Sequence, residues 1–437
     1  MHDGEVRCPA AESGRPRVRF APVLILTLIL AACTSAVPLG SSSRSVASSA
    51  HPRQNRPSSS ANPVDTATLV WTQGGLPHGF AERVSRMPEV THAVTVVAGT
   101  VWLTRSMSAP RNVVDHPPHG YAIPLDLAGA RPQDLAPFLP AKDRSLVGDL
   151  RAGEAILGAT SARLRRLGPG GTLVFGDRRL RVAGVLPDRV VGGHEVFVSR
   201  QTAATLGVRS EQYLLLQAPS GIHERQIRRF LPPDALLRIR PPGQAHFLRQ
   251  ADAVLPPVML KAAFGEFAAS PRLLPGEWLR ISTAWENAHI TSASVPILGT
   301  VRCNSALIPQ LRAALREVER RGLSQLIHSD EFAGCFAARI IPGNVDEAIS
   351  AHTWGAALDI NARSNPLGAD PTQDPRIVAI FKRWGFTWGG AWMRPDGMHF
   401  EFQCFPPGMG EGSVLACPPG GAMWPPEPSP SGAAQGA

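Results

Sequence analysis

Ser350-Ala-His352-Thr-Trp-Gly355-Ala-Ala357-Leu-Asp359, followed downstream by Asp396-Gly-Met-His399-Phe-Glu401, decides how the C-terminal part of this chain is read. Gly355 and the alternation through Ala357-Leu358-Asp359-Ile360 predict a turn running into a strand, although the His352–Asp359 spacing would also suit one face of a helix. On a second strand over Met398–Gln403, His399 and Glu401 share one face and Phe400 takes the other. Asp396 falls on the turn entering that strand. Catalytic zinc takes three nitrogen or oxygen ligands and keeps a fourth position for water, and a carboxylate beside that water can take its proton. His352, Asp359 and His399 are the ligand candidates. Asp396 and Glu401 are both near enough to serve as the base.

Working outward, two helices frame this constellation. One lies within Ser305–Arg321, where Leu307, Leu311, Ala314, Leu315 and Val318 recur on one face and Gly322 supplies a stop. Pro309 pushes its start a few residues on. The other runs from Pro375 to Trp384, with Asp374 as N-cap, proline in the first turn and Gly385 at the end. Helices alternating with short strands make an α+β domain over residues 276–417, its candidate ligands on or beside strands.

The motifs resemble those of the zinc D-alanyl-D-alanine carboxypeptidase family, which includes VanY-like carboxypeptidases and phage L-alanyl-D-glutamate endopeptidases. Ser350, His352, Gly355, Ala357 and Asp359 meet S-x-H-x-x-G-x-A-x-D at every fixed position. Asp396 and His399 meet D/E-x-x-H, and Trp388-Gly-Gly-Ala-Trp392 matches the W-G-G-x-W stretch before it. The likeness covers about Cys303 to Phe405. It implies a small α+β fold with a central antiparallel sheet, Zn2+ held by His352, Asp359 and His399, and peptidoglycan stem peptides as substrate. It also implies Asp396 as base, Glu401 and Ser350 as supports behind the ligands, and Arg339 as the group that stabilises an oxyanion, against the alternative of a surface arginine. Trp388 and Trp392 are candidates for the substrate groove, with ordinary core packing as the rival for either. Whether D-Ala–D-Ala or L-Ala–D-Glu is cut stays open.

The other end of the chain speaks to location. Arg15, Arg17 and Arg19 precede an apolar run from Ala21 to Ala32, shorter than the roughly 20 residues of a membrane span. The run ends Leu30-Ala-Ala-Cys33, which resembles a bacterial lipobox. Residues 1–33 are therefore expected to be a lipoprotein signal, with Cys33 lipidated and the protein anchored outside the cytoplasmic membrane. Residues 34–66, rich in Ser, Pro and Ala, read as a flexible tether, and residues 418–437 as a disordered tail. In an exported chain, Cys303, Cys335, Cys404 and Cys417 suggest disulfides rather than a metal cluster, because no CxxC spacing is present. The favoured pairing is 303–335 and 404–417.

Residues 67–249 read as a separate mixed α/β module, with a helix near Gly79–Met87, a strand over Thr91–Leu103, a helix over Thr160–Leu167 and a tight hairpin at Gly176-Asp177. Part of it loosely resembles the extracytoplasmic core domain of macrolide-exporter-type ABC permeases, which implies docking to an envelope protein partner and names no chemistry. His116-Pro-Pro-His119 reads as a surface loop. Residues 250–275 read as a helical connector broken by prolines. The net charge of +9 comes from arginines scattered along the chain, with no aromatic-interleaved stripe, so nucleic acid is not an expected partner. Two rival functions remain: a non-catalytic peptidoglycan-binding module, and an adaptor acting through the N-terminal region.

Overall fold

The structure, a computed structural model, describes residues 66–245, 247–250, 252, 255–341, 348–410 and 415–418. The signal segment with Cys33 lies outside them, as do the tether and tail apart from Thr66 and Pro418. No helix among the described residues is long and apolar enough to cross a membrane.

Ten strands form one mixed sheet: β1 (Thr68–Thr72), β2 (His92–Leu103), β3 (Arg105–Met107), β4 (Ile123–Ala130), β5 (Glu154–Gly158), β6 (Thr172–Phe175), β7 (Arg178–Leu186), β8 (Val196–Ser199), β9 (Glu211–Gln217) and β10 (Leu237–Arg240). Their order is β10-β1-β9-β2-β4-β8-β5-β7-β6-β3, antiparallel except at β4–β8 and β5–β7. The Gly176-Asp177 turn joins β6 to β7 in register, Phe175 opposite Arg178. In β2 the buried positions switch from Val94 and Val96 to Val97, Val101 and Leu103. The two sets lie on opposite faces of the strand and join different hydrophobic clusters, while the bulge at Val96/Val97 places its extra residue, Gln212, in β9.

The segment expected to be a connector holds one helix, Pro257–Phe264, and packs on both sides. Leu260, Phe264, Phe267 and Ala269 belong to the hydrophobic core that runs on to Phe405, and Ala269 also exchanges backbone hydrogen bonds with Ala122, at the start of β4. Pro256 and Pro257 set the start of the helix, Gly265 at φ 89° ends it, and the apolar residues Phe267 and Ala269 that follow are buried outside any helix.

A buried ionic cluster fastens this segment to the sheet. Lys261 Nζ donates to both carboxylate oxygens of Glu195, at 2.9 and 2.8 Å, and to the Pro124 carbonyl. Arg165 donates to Glu266 at 2.8 and 2.5 Å and to Glu195 at 3.2 Å. Each charge is matched, as burial of ions requires.

The C-terminal region contains the hairpin β11 (Ile290–Val295) with β12 (Gly299–Asn304), and a small antiparallel sheet, β13 (Ala357–Asp359), β15 (His399–Phe402) and β14 (Phe386–Trp388), with β15 in the middle. The fold is α+β. Helix Ile308–Arg320 starts where Pro309 can occupy its first turn and buries Leu311, Ala314, Leu315 and Val318. Helix Pro375–Arg383 is capped by the Asp374 carboxylate, which accepts from Arg376 N at 2.8 Å. Phe381 of that helix meets Phe400 of β15 with ring centroids 4.7 Å apart. Burying a phenylalanine this way contributes about 1.5–3 kcal/mol. Disulfides join Cys303 to Cys335 and Cys404 to Cys417.

Candidate metal centre

The small sheet sets the site by register. Asp359 of β13 lies opposite His399 of β15, and Ala357 lies opposite Glu401. Because Phe400 points into the core, His399 and Glu401 emerge together on the other face. His352 comes from a single 3-10 turn, Ala351–Trp354, rather than from the strand. Ser350 caps that turn, its hydroxyl accepting from His352 N at 3.3 Å. Gly355 ends it at φ 63°, and a Cβ there would sit 2.6 Å from Asn304 N, so only glycine fits.

His352, Asp359 and His399 each offer one ligand atom, and these atoms lie within 4.8 Å of one another. His352 Nδ1 is 2.8 Å from the Cys335 carbonyl, where it must donate. That bond leaves Nε2 as the free lone pair, directed toward Asp359 at 3.3 Å and His399 Nδ1 at 3.1 Å. His399 Nδ1 in turn lies 3.0 Å from Asp359, while its Nε2 meets Glu401 at 3.3 Å. Two imidazoles therefore present lone pairs to one point beside a carboxylate, each ring steered by an oxygen on its far side. Two nitrogens and one carboxylate oxygen form a donor set that suits a divalent ion such as zinc.

The electrostatics fit that arrangement. Burial works against ionisation of Asp359, but hydrogen bonds from His352 and His399 outweigh it and hold the carboxyl well below the usual range. Burial also opposes charge on His399. Its bonds to Asp359 and Glu401 win and push it up to about 10. Metal ligation needs the neutral imidazoles, so binding there would release protons.

Asp396 lies outside the ligand group. Its backbone is held by Asp396 N to Gly389 O at 2.9 Å, and its carbonyl accepts from His399 N at 3.2 Å. A Cβ on Gly389 would come within 2.8 Å of the Asp396 carbonyl and 3.3 Å of His399 Cβ, so this glycine permits the close approach. Burial raises the Asp396 carboxyl above its ordinary value, and its Oδ1 is buried with no partner among the described residues.

Arg339 sits near enough for its charge to act on Asp396. Its backbone is clamped by Thr353, whose hydroxyl accepts from Arg339 N at 3.1 Å and donates to Arg339 O at 3.0 Å. Trp392 leans on the His399 ring with centroids 5.1 Å apart. Trp388 instead donates from Nε1 to Gly397 O at 2.9 Å, which shapes the loop carrying Asp396. His116 and His119 are exposed and join no such group, and the sequence reading missed both Thr353 and the Cys335 carbonyl. A buried threonine hydroxyl and a backbone oxygen leave no motif to find.

Residues 344–402 match the D-alanyl-D-alanine carboxypeptidase family. The carboxypeptidase-family segment holds His352, Asp359, Asp396, His399 and Glu401, and Arg339 precedes it. No curated protein matches the chain. Among solved structures it is similar to the periplasmic region of MacB from Actinobacillus actinomycetemcomitans, at 13% identity and a TM-score of 0.28, covering 40% of this chain and 88% of that one. It is also similar to the extracellular domain of the noncanonic ABC-type transporter YknZ from Gram-positive bacteria, at 11% identity and a TM-score of 0.24, covering 38% and 88%.

Proposed function

We propose that the protein is an exported, lipid-anchored zinc metallopeptidase that hydrolyses peptide bonds in peptidoglycan stem peptides. The observation that carries this reading is the convergence of His352 Nε2, His399 Nδ1 and the Asp359 carboxylate beside an unpartnered Asp396 oxygen. The carboxypeptidase-family match over the same residues supports the substrate class.

His352, Asp359 and His399 would hold the ion. Zinc bound there would act as a Lewis acid, acidifying water and polarising the scissile carbonyl. Asp396 takes the proton of the attacking water and returns it to the leaving amine. Arg339, whose guanidinium stays charged, faces the negative charge that develops on the carbonyl oxygen. Cys335 and Glu401 keep the two imidazoles turned toward the ion.

Mass spectrometry of muropeptides incubated with the zinc-loaded and the EDTA-treated protein tests the reading. Loss of a terminal D-alanine marks a carboxypeptidase, and separation of L-alanine from D-glutamate marks an endopeptidase. Intact muropeptides after incubation with zinc-loaded protein would sink it.

A further inference from the structure

The hairpin at Leu274–Trp278 brings an exposed indole beside the segment that carries Arg339. Leu274 N donates to Trp278 O at 2.8 Å, closing a turn in which Gly276 and Glu277 both have positive φ, 77° and 65°. The chain leaving this turn runs antiparallel to the segment that carries Arg339. Leu279 N donates to Ala338 O at 2.8 Å and Ile340 N to Glu277 O at 3.2 Å. Those two bonds bracket Trp278 and Arg339, which makes them a non-hydrogen-bonded pair. Side chains of such a pair emerge on one face at the closest spacing a sheet allows. The segment carrying Arg339 runs alongside the turn that holds His352: Ala337 N donates to His352 O at 3.0 Å and Thr353 clamps the Arg339 backbone, so the pair stands next to the candidate site. Ile341, two residues beyond Arg339, emerges on that face as well.

Trp278 is 45% exposed and Ile341 42%, whereas Trp285 and Trp354 nearby are buried. An indole left open beside an arginine offers a flat apolar face next to a fixed positive charge. Ligand sites use this combination, apolar contact for affinity and a few polar groups for orientation.

We propose that Trp278 is a specificity-determining residue, seating an uncharged, C–H-rich face of the substrate next to the carbonyl that Arg339 addresses. The inference rests on the peptidase reading and deepens it. Two parts of a muropeptide carry that chemistry: an alanyl methyl group of the stem peptide and the pyranose ring of the linked sugar.

The test separates these sources from each other, and the subsite from the catalysis. Dissociation constants are measured for free stem pentapeptide and for disaccharide-pentapeptide, using zinc-loaded full chain made inactive by Asp396→Asn. Adding Trp278→Ala is expected to weaken binding about tenfold, while Trp278→Phe keeps most of it and zinc content and melting temperature stay unchanged. A loss with both ligands assigns the contact to the peptide, and a loss with the disaccharide form alone assigns it to the sugar. Equal constants with and without the indole for both ligands, or no binding of either, would overturn the proposal. Turnover by the Asp396-containing protein is read separately. Its absence, with the binding difference intact, removes the peptidase and leaves the subsite.

Discussion

Among the described residues, two buried histidine–aspartate clusters end differently. In the ten-stranded sheet, His194 Nδ1 meets Asp126 at 3.0 Å and His194 Nε2 meets the Tyr213 hydroxyl at 3.1 Å. Arg249 pairs with the other Asp126 oxygen. Both His194 nitrogens and both Asp126 oxygens meet protein partners. Burial pushes His194 down, and the positive charge of Arg249 adds to the effect against the opposing pull of Asp126. In the C-terminal region, His352 Nε2 and His399 Nδ1 turn toward each other and toward Asp359, and Asp396 keeps one oxygen unpartnered. The first arrangement is a finished network that stabilises a sheet. The second turns two imidazole nitrogens and a carboxylate oxygen toward one point, the donor arrangement that can hold a cation. Residue types alone do not separate the two; the direction of the lone pairs does.

The sharpest way to break this comparison is to remove a converging ligand. His352→Ala should lose bound zinc, measured by atomic absorption, and hydrolysis together, down to background. Asp396→Asn should keep zinc and lower kcat by about 10²–10⁴-fold; full activity in that variant would move the base to Glu401. Glu401→Gln should weaken zinc affinity about 10–100-fold in a chelator competition, because His399 loses the group that orients its ring.

The sheet cluster should respond in the opposite sense. His194→Gln is expected to lower unfolding stability by about 1–3 kcal/mol in denaturant titration while zinc affinity stays unchanged. A change in zinc affinity there would mean that the two clusters are coupled.

The smallest effect concerns acid. Burial opposes ionisation of Glu266, but Lys261 and Arg165 overcome it and bring its value from 4.5 to about 2. A carboxyl depressed on folding adds stability that is fully present above its unfolded value and is lost as pH falls through its folded one. Between about pH 4.5 and pH 2, the full chain should lose stability progressively. Glu266→Gln should be less stable at neutral pH and should show a flatter profile over that window.

Much of the fold was legible locally. Asp374-Pro375 before an apolar period and Gly385 after it bound one helix, and the period over residues 307–318 marked the other. Gly176-Asp177 placed a hairpin. These signals depend on the backbone within a few residues, so the chain carries them without reference to anything distant. The segment 250–275 was read less well, since Pro256-Pro257 and Gly265 bound a helix locally and do not reveal that the residues beyond it will be buried against two regions at once.

The same division runs through the candidate site. By itself the sequence determined the chemistry on offer: two histidines and their carboxylates in a family motif, glycines where the backbone turns left-handed or approaches closely, and four cysteines in one region. Only the tertiary structure decided which nitrogen of each imidazole is free, that the Cys335 carbonyl sets one tautomer, that Thr353 clamps Arg339, and that Trp278 stands beside it. Each of these joins residues through a backbone hydrogen bond or a strand register between distant segments. Such contacts are specified by packing of the whole chain, and they leave no trace in the spacing of the residues that make them.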